Sequence, residues 1–344
     1  MELSNKLISW YLENKREMPW RQTTDPYYIW LSEIILQQTR VAQGLPYYLK
    51  FTEAFPTVKD LANASEEEVL KLWQGLGYYS RGRNLHTAAK YIMDEYNGVF
   101  PNTYEKLLEL KGVGDYTASA IASISFNKPT AVVDGNVYRV LSRIFGIETP
   151  INSTLGIKEF KKLAQELIDA KQPANFNQAI MEFGAIQCKP QNPYCLHCIF
   201  NDSCVALQKN SINKLPVKLK KTKVKHRHLQ YLVFRSKDGR TMLHRRSGKG
   251  IWQGLYEFPV IEGAFEDIRF RESELFLKKT ASYTIYQVQQ YNTKPIVHKL
   301  SHQHLHTTFW VIDVDKLPEN AIIIPDIKSY PVPVLIEKFI DAYF

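Results

Sequence analysis

At 344 residues, 44% hydrophobic and 12% aromatic, the chain is long enough for about two domains and apolar enough to give each a buried core, which excludes large-scale disorder. Its longest apolar runs, such as 118–124 and 321–324, fall far short of the roughly 20 residues of a membrane span, so no transmembrane helix and no membrane partner are expected. Seven Lys or Arg, two His and no acid fall within 214–228, leaving the rest of the chain at +2 of a total of +9, so global charge is a weak argument for nucleic acid and the run reads first as a solvated linker.

In chain order, residues 1–10 carry a helical spacing of Leu3, Leu7, Ile8 and Trp10 without the basic start and cleavage site of a signal peptide, and the protein is expected to stay in the cytoplasm. Pro26 followed by Ile29, Leu31, Ile34, Ile35 and Leu36 predicts a helix with a buried face, and Ser65 with Glu68 predicts a capping box ahead of Val69, Leu70 and Leu72. Asn97-Gly98, Pro101-Asn102, Pro129 and Pro150 mark breaks, so everything up to about Leu207 reads as helices joined by short turns. After the basic run the pattern changes to short β-type stretches at 229–234, 241–245, 282–289 and 307–314, with Asp238-Gly239 as a hairpin turn between the first two. Helical stretches at 272–279 and 334–343 make this half α+β.

Three features carry chemistry. All four cysteines, Cys188, Cys195, Cys198 and Cys204, share one window with the spacing C-x6-C-x2-C-x5-C. In a cytoplasmic chain such a cluster points to a metal centre rather than disulfides, and four thiolates suit either zinc or a four-iron, four-sulfur cluster. Gly112-Val113-Gly114 forms a tight turn between helical patterns, where the backbone can approach a phosphate closely. Glu33 stands among apolar neighbours, a costly place for a carboxylate unless it is paired or protonated, and Asp134 precedes a helical stretch reaching Phe145, where it can cap the helix and still face a site.

With the cysteine window downstream of it, the glycine turn resembles the helix-hairpin-helix of the endonuclease III superfamily of DNA glycosylases, over residues 20–204. The resemblance implies a four-iron, four-sulfur cluster on the four cysteines, DNA contact through Gly112, Val113 and Gly114, and Asp134 as the superfamily's acidic residue. Relatives that also cut the strand carry lysine where this chain has Tyr116, and Lys111 lies beyond the glycines, so base hydrolysis without efficient strand cleavage is expected. Lys111 also stands where the family usually has proline.

Residues 30–39, Trp-Leu-Ser-Glu-Ile-Ile-Leu-Gln-Gln-Thr, look like those of MutY adenine DNA glycosylases. That likeness implies Glu33 as the acid that protonates the departing adenine and Asp134 as the anion that stabilises the sugar cation. It places Tyr116 in the active site and Arg21 along the adenine pocket, with Gln38 and Tyr78 entering the opened duplex. The C-terminal half resembles the MutT-like module of the same family through residues 250–259 and through Leu300-Ser301-His302, where the family usually has Phe-Ser-His. Ser301 and His302 are then the residues that recognise 8-oxoguanine. The glutamate-rich box of nucleotide-hydrolysing relatives is missing, and Arg271-Glu272-Ser273-Glu274 is only a partial echo of it.

The sequence thus predicts a multidomain chain. An all-α helix-hairpin-helix glycosylase domain spans 1–213 with its iron–sulfur loop at 188–204, a basic linker spans 214–228, and a MutT-like, Nudix-like α+β domain spans 229–344. The expected substrate is duplex DNA with adenine opposite 8-oxoguanine or guanine, the product an abasic site, and the protein a monomer.

Overall fold

The computed structural model describes residues 2–219, 224–265 and 267–344. Met1, at the start of the expected helical domain, and residues 220–223 of the basic run lie outside the described residues. Two compact units emerge, one within 1–63 and 84–220 and the other within 64–83 and 221–344.

The helices in chain order are α1 (Glu2–Asn14), α2 (Pro26–Leu36), α3 (Val41–Ala54), α4 (Val58–Asn63), α5 (Glu66–Leu72), α6 (Ser80–Tyr96), α7 (Tyr104–Leu108), α8 (Asp115–Phe126), α9 (Gly135–Phe145), α10 (Thr154–Leu167), α11 (Pro173–Glu182) and α12 (Val205–Gln208). Local chemistry sets their ends. Asp25 caps α2 by accepting from Tyr27 N at 2.8 Å, with Pro26 in the first turn, where its missing N–H costs nothing. Ser65 and Glu68 close the capping box of α5. Helix α6 stops where Asn97 and Gly98 turn left-handed.

The core of the first unit gathers Leu7 and Tyr11 of α1, Ala120 of α8, Val137, Val140 and Leu141 of α9, and Phe176 and Ile180 of α11. Helix α11 runs into a π turn, Phe183–Gln187, which delivers the chain to Cys188. Such turns recur at functional sites.

In the second unit β1 (Lys225–Ser236) lies parallel to β8 (Gln303–Val314) over twelve residue pairs. Around them are β2 (Arg240–Thr241), β5 (Val260–Glu262), β6 (Ile285–Gln290), β7 (Ile296–Lys299) and β9 (Ile322–Ile323), and β3 (His244–Arg245) pairs with β4 (Tyr256–Glu257) apart from them. Three further helices, α13 (Asp267–Arg271), α14 (Glu274–Thr280) and α15 (Val334–Tyr343), complete the α+β pattern. Leu232, Phe234, Trp310 and Ile312 of the two central strands pack with Phe270 and Phe276.

Several local expectations need adjustment. Strand β1 begins at Lys225, inside the stretch read as linker, because the full length of β8 is there to pair with it. The strand expected over 241–245 splits into β2 and β3, which join different sheets. The helix expected over 272–279 forms as α14, capped where Ser273 accepts from Phe276 N, and a short α13 precedes it, so the partial echo at 271–274 serves a helix junction.

Candidate active site and cysteine cavity

Glu33, near the C-terminal end of α2, opens into a cleft of about 660 Å³ that is also lined by Arg16, Arg21, Tyr116, Asp134, Arg139 and Glu182. Burial pushes its carboxyl up to about 7 and outweighs a hydrogen bond from Tyr116 that favours the anion; Asp134 adds repulsion and Arg21 attraction. Tyr116, on the first turn of α8, lies with its hydroxyl 3.3 Å from the Met181 sulfur, and burial beside two acids holds the phenol well above its ordinary value, so it keeps its proton.

Asp134 caps α9. One carboxyl oxygen accepts from Asn136 N at 2.9 Å and Val137 N at 2.8 Å, and the other accepts from the Asn136 side chain at 2.7 Å. Burial raises this carboxyl too, against the pull of those three donors and of Arg139. The three donors and the helix N-terminus all favour the anion. Glu33 has fewer such donors, so the two acids meet in one cleft with different appetites for a proton.

Glu182 escaped the sequence reading. It is 1% exposed at the end of α11 and accepts from Arg16 Nε at 2.7 Å and from Arg21 Nη2 at 2.7 Å. Burial alone would raise its carboxyl, but these hydrogen bonds hold it at about 2. Arg21, read from resemblance as a pocket residue, is therefore clamped between Glu182 and the Arg16 carbonyl at 2.8 Å. The missed signal was Glu182 itself, an acid inside an apolar helical pattern.

Gln38 follows α2 in a left-handed conformation with φ 55°, exposed at a bend whose flanking residues Leu36 and Thr39 line the cleft. Such backbone is costly for a residue with a Cβ. In the turn between α7 and α8, Leu110 and Val113 point inward while Gly112 and Gly114 are exposed. Gly112 has φ 83°, and a Cβ there would sit 2.8 Å from that of Asn84, so both backbone and space require glycine. Lys111, in place of proline, is accommodated in the exposed turn.

The four cysteines line one cavity together with Arg143, Phe183 and Phe200. Burial and neighbouring thiols push Cys198 up to about 11 and raise Cys195 and Cys204, so four thiolates could coexist here only around a positive centre. Two arginines of α9, four residues apart, hold this loop. Arg143 Nη1 lies 3.5 Å from Cys188 Sγ and donates to the Lys189 carbonyl at 2.7 Å. Arg139 donates to the carbonyls of Cys188 at 2.8 Å and Gly184 at 2.7 Å and to Asn136 Oδ1 at 3.0 Å, tying the loop to the cap that holds Asp134.

In the second unit, Ser301 and His302 are exposed in the loop between β7 and β8, held where Lys225 N donates to the His302 carbonyl at 3.0 Å. Tyr78, 47% exposed and left-handed at φ 48°, shares a hydrogen bond with the Ser301 hydroxyl, so two residues far apart in sequence meet. Within 250–259, Glu257 is buried and accepts from Tyr231 at 2.9 Å and Arg246 at 2.6 Å; it is an internal brace.

Residues 31–176 match the HhH-GPD superfamily base excision DNA repair protein family, and residues 230–342 match the NUDIX domain family. Fold and cleft together define a base excision repair protein of the DNA glycosylase class. A solved thermostable thymine-DNA glycosylase is 30% identical, with a TM-score of 0.56, over 60% of this chain and 96% of its own. An adenine DNA glycosylase of Buchnera aphidicola subsp. Baizongia pistaciae (strain Bp) is 33% identical over 89% of this chain and 85% of its own length. The chain belongs to the adenine DNA glycosylase family. The Mus musculus member is 46% identical over 62% of this chain, which spans only 44% of that longer relative.

Proposed function

We propose that this protein hydrolyses the bond between adenine and deoxyribose where adenine is mispaired with 8-oxoguanine or guanine in duplex DNA, leaving an abasic site. One observation carries the reading: Glu33, poised at about 7, shares a cleft with Asp134, whose oxygens are engaged by donors. Neutral Glu33 gives its proton to a ring nitrogen of the flipped adenine. The glycosidic bond then breaks with its electron pair leaving on the base, ionised Asp134 stabilises the sugar cation, and water attacks the sugar carbon while its proton returns to Glu33.

Tyr116 orients Glu33 and, lacking an amine, forms no Schiff base, which supports base removal without strand cutting. Arg21, rigid on Glu182, lines the adenine pocket. Gln38 and Tyr78, both exposed and backbone-strained, fit side chains that enter an opened duplex, with Gly112, Val113 and Gly114 on the phosphates and Ser301 and His302 on the opposite base. Cys188, Cys195, Cys198 and Cys204 hold a four-iron, four-sulfur cluster, a choice supported by their lining one cavity and by a spacing that resembles the iron–sulfur loop of the superfamily. When bound, the cluster supplies the positive centre that lets the thiolates cross-link the loop 188–204. In this reading the chain works as a monomer on DNA in the cytoplasm.

The test is to incubate the protein with duplex DNA carrying adenine opposite 8-oxoguanine and to compare strand breakage with and without hot alkali. Breakage only after alkali is expected. Breakage without alkali would indicate a lyase, and intact strands under both conditions with tight binding would indicate a silent sensor.

A further inference from the structure

The helix-covered face of the central sheet ends, beyond its apolar part, in a ladder of imidazoles. On β1, His226 and His228 alternate with Arg227; on β8, His304 and His306 alternate with Leu305; the parallel register sets His226 beside His304 and His228 beside His306. The rings stack across the strands, His228 on His306 at 4.8 Å and His226 on His306 at 5.2 Å between centroids, with His304 edge-on to His226 at 5.2 Å. Four imidazoles on one face have no part in the adenine cleft. An exposed sheet end would ordinarily favour charges that repel less, or β-branched residues.

His226 Nδ1 and His306 Nε2 face each other at 2.9 Å. This is an N–H···N hydrogen bond in which one ring donates and the other accepts. Two imidazoles bound to one metal at about 2.0–2.1 Å stand roughly 2.9–3.3 Å apart for ligand angles between square and tetrahedral. The hydrogen-bonded separation falls within that range, so an ion taking the place of the shared proton would need little movement of either ring. Among the described residues no three His, Cys, Asp or Glu side chains already surround one point. The pair supplies two nitrogens, and two more partly buried imidazoles stand beside it, His304 at 5.2 Å from His226 and His228 at 4.8 Å from His306 between ring centroids.

We infer that the ladder of His226, His228, His304 and His306 is a binding site for a late first-row divalent transition-metal ion, held by imidazole nitrogens bridging β1 and β8. The site lies one residue from the loop carrying Ser301 and His302, whose backbone is already tied to β1 through Lys225. A metal there clips the two strand ends together and stiffens that loop. The inference stands whether or not the loop reads 8-oxoguanine.

The probe is copper(II) added below one equivalent to the full-length protein isolated with its cysteine site loaded, read by electron paramagnetic resonance. Two or more equatorial nitrogens are expected, and a signal of sulfur or oxygen donors alone overturns the site. Zinc titration calorimetry of the same preparation should give one equivalent that weakens at least about tenfold in His226→Ala/His306→Ala, a loss of about 1.4 kcal/mol of binding free energy. Undiminished zinc binding in that variant, or no binding by the unaltered protein, overturns it. Circular dichroism checks that the variant is folded; if it is not, the single variants His226→Gln and His306→Gln carry the same zinc titration, with the same outcomes deciding.

Discussion

Glu33→Gln should leave the protein almost inactive and more stable. The carboxyl is moved from its ordinary 4.5 to about 7, so its ionised form is disfavoured in the folded state by about 3 kcal/mol relative to water. Below pH 4.5 the acid is neutral in folded and unfolded chains and costs nothing. As pH rises from 4.5 to about 7 the unfolded chain releases the proton first, and stability falls until the loss is complete above about 7. Glutamine is neutral throughout and avoids that loss, less about 1 kcal/mol for the altered bond to Tyr116. The gain should therefore be about 2 kcal/mol at pH 8 and turn into a loss of up to about 1 kcal/mol at pH 4.5, measured as urea unfolding free energies at both values. Adenine excision should fall about 100- to 10,000-fold while binding to the mismatched duplex is retained, and excision by the unaltered protein should decline about tenfold per pH unit above about 7. No gain at pH 8, or an equal gain at pH 4.5, would refute a buried, proton-holding Glu33.

Asp134→Asn should fold within about 0.5 kcal/mol of the unaltered protein, because asparagine also caps helices, yet lose excision; Asp134→Ala should cost a further 1 kcal/mol or so by denaturant melting. Glu182→Gln breaks a buried acid's hold on two arginines and should cost about 3–5 kcal/mol. Because Glu182 is held at about 2, the stabilisation it provides is complete above its ordinary 4.5 and is lost as pH falls from there toward 2, visible as an acid-dependent melting temperature absent from the variant. Gly112→Ala meets both a left-handed backbone and Asn84, and should cost about 1–3 kcal/mol and weaken duplex binding in a gel-shift assay. Cys198→Ser should abolish the visible absorbance expected of an iron–sulfur centre in the purified protein.

Much of this molecule could be read without coordinates. The helical and α+β halves followed from a change of hydrophobic period near residue 207, the caps at Ser65 and Asp134 from short polar side chains placed before apolar runs, and the cysteine window from spacing alone. These are local signals, decided by neighbours within about ten residues. Tertiary structure decided what depends on distant partners. Glu182 becomes a clamp on Arg21 only because α11 packs near the segment before α2, and Arg139 links cap and cysteine loop only because Gly184 passes beside α9. Tyr78 meets Ser301 across more than two hundred residues, and the histidines of β1 and β8 form a ladder only through a parallel register that no local pattern encodes. Glu33 shows the same division. Its apolar neighbours were visible in the sequence, but the balance of burial, Tyr116, Asp134 and Arg21 that leaves it near neutrality is a property of four segments brought together by folding.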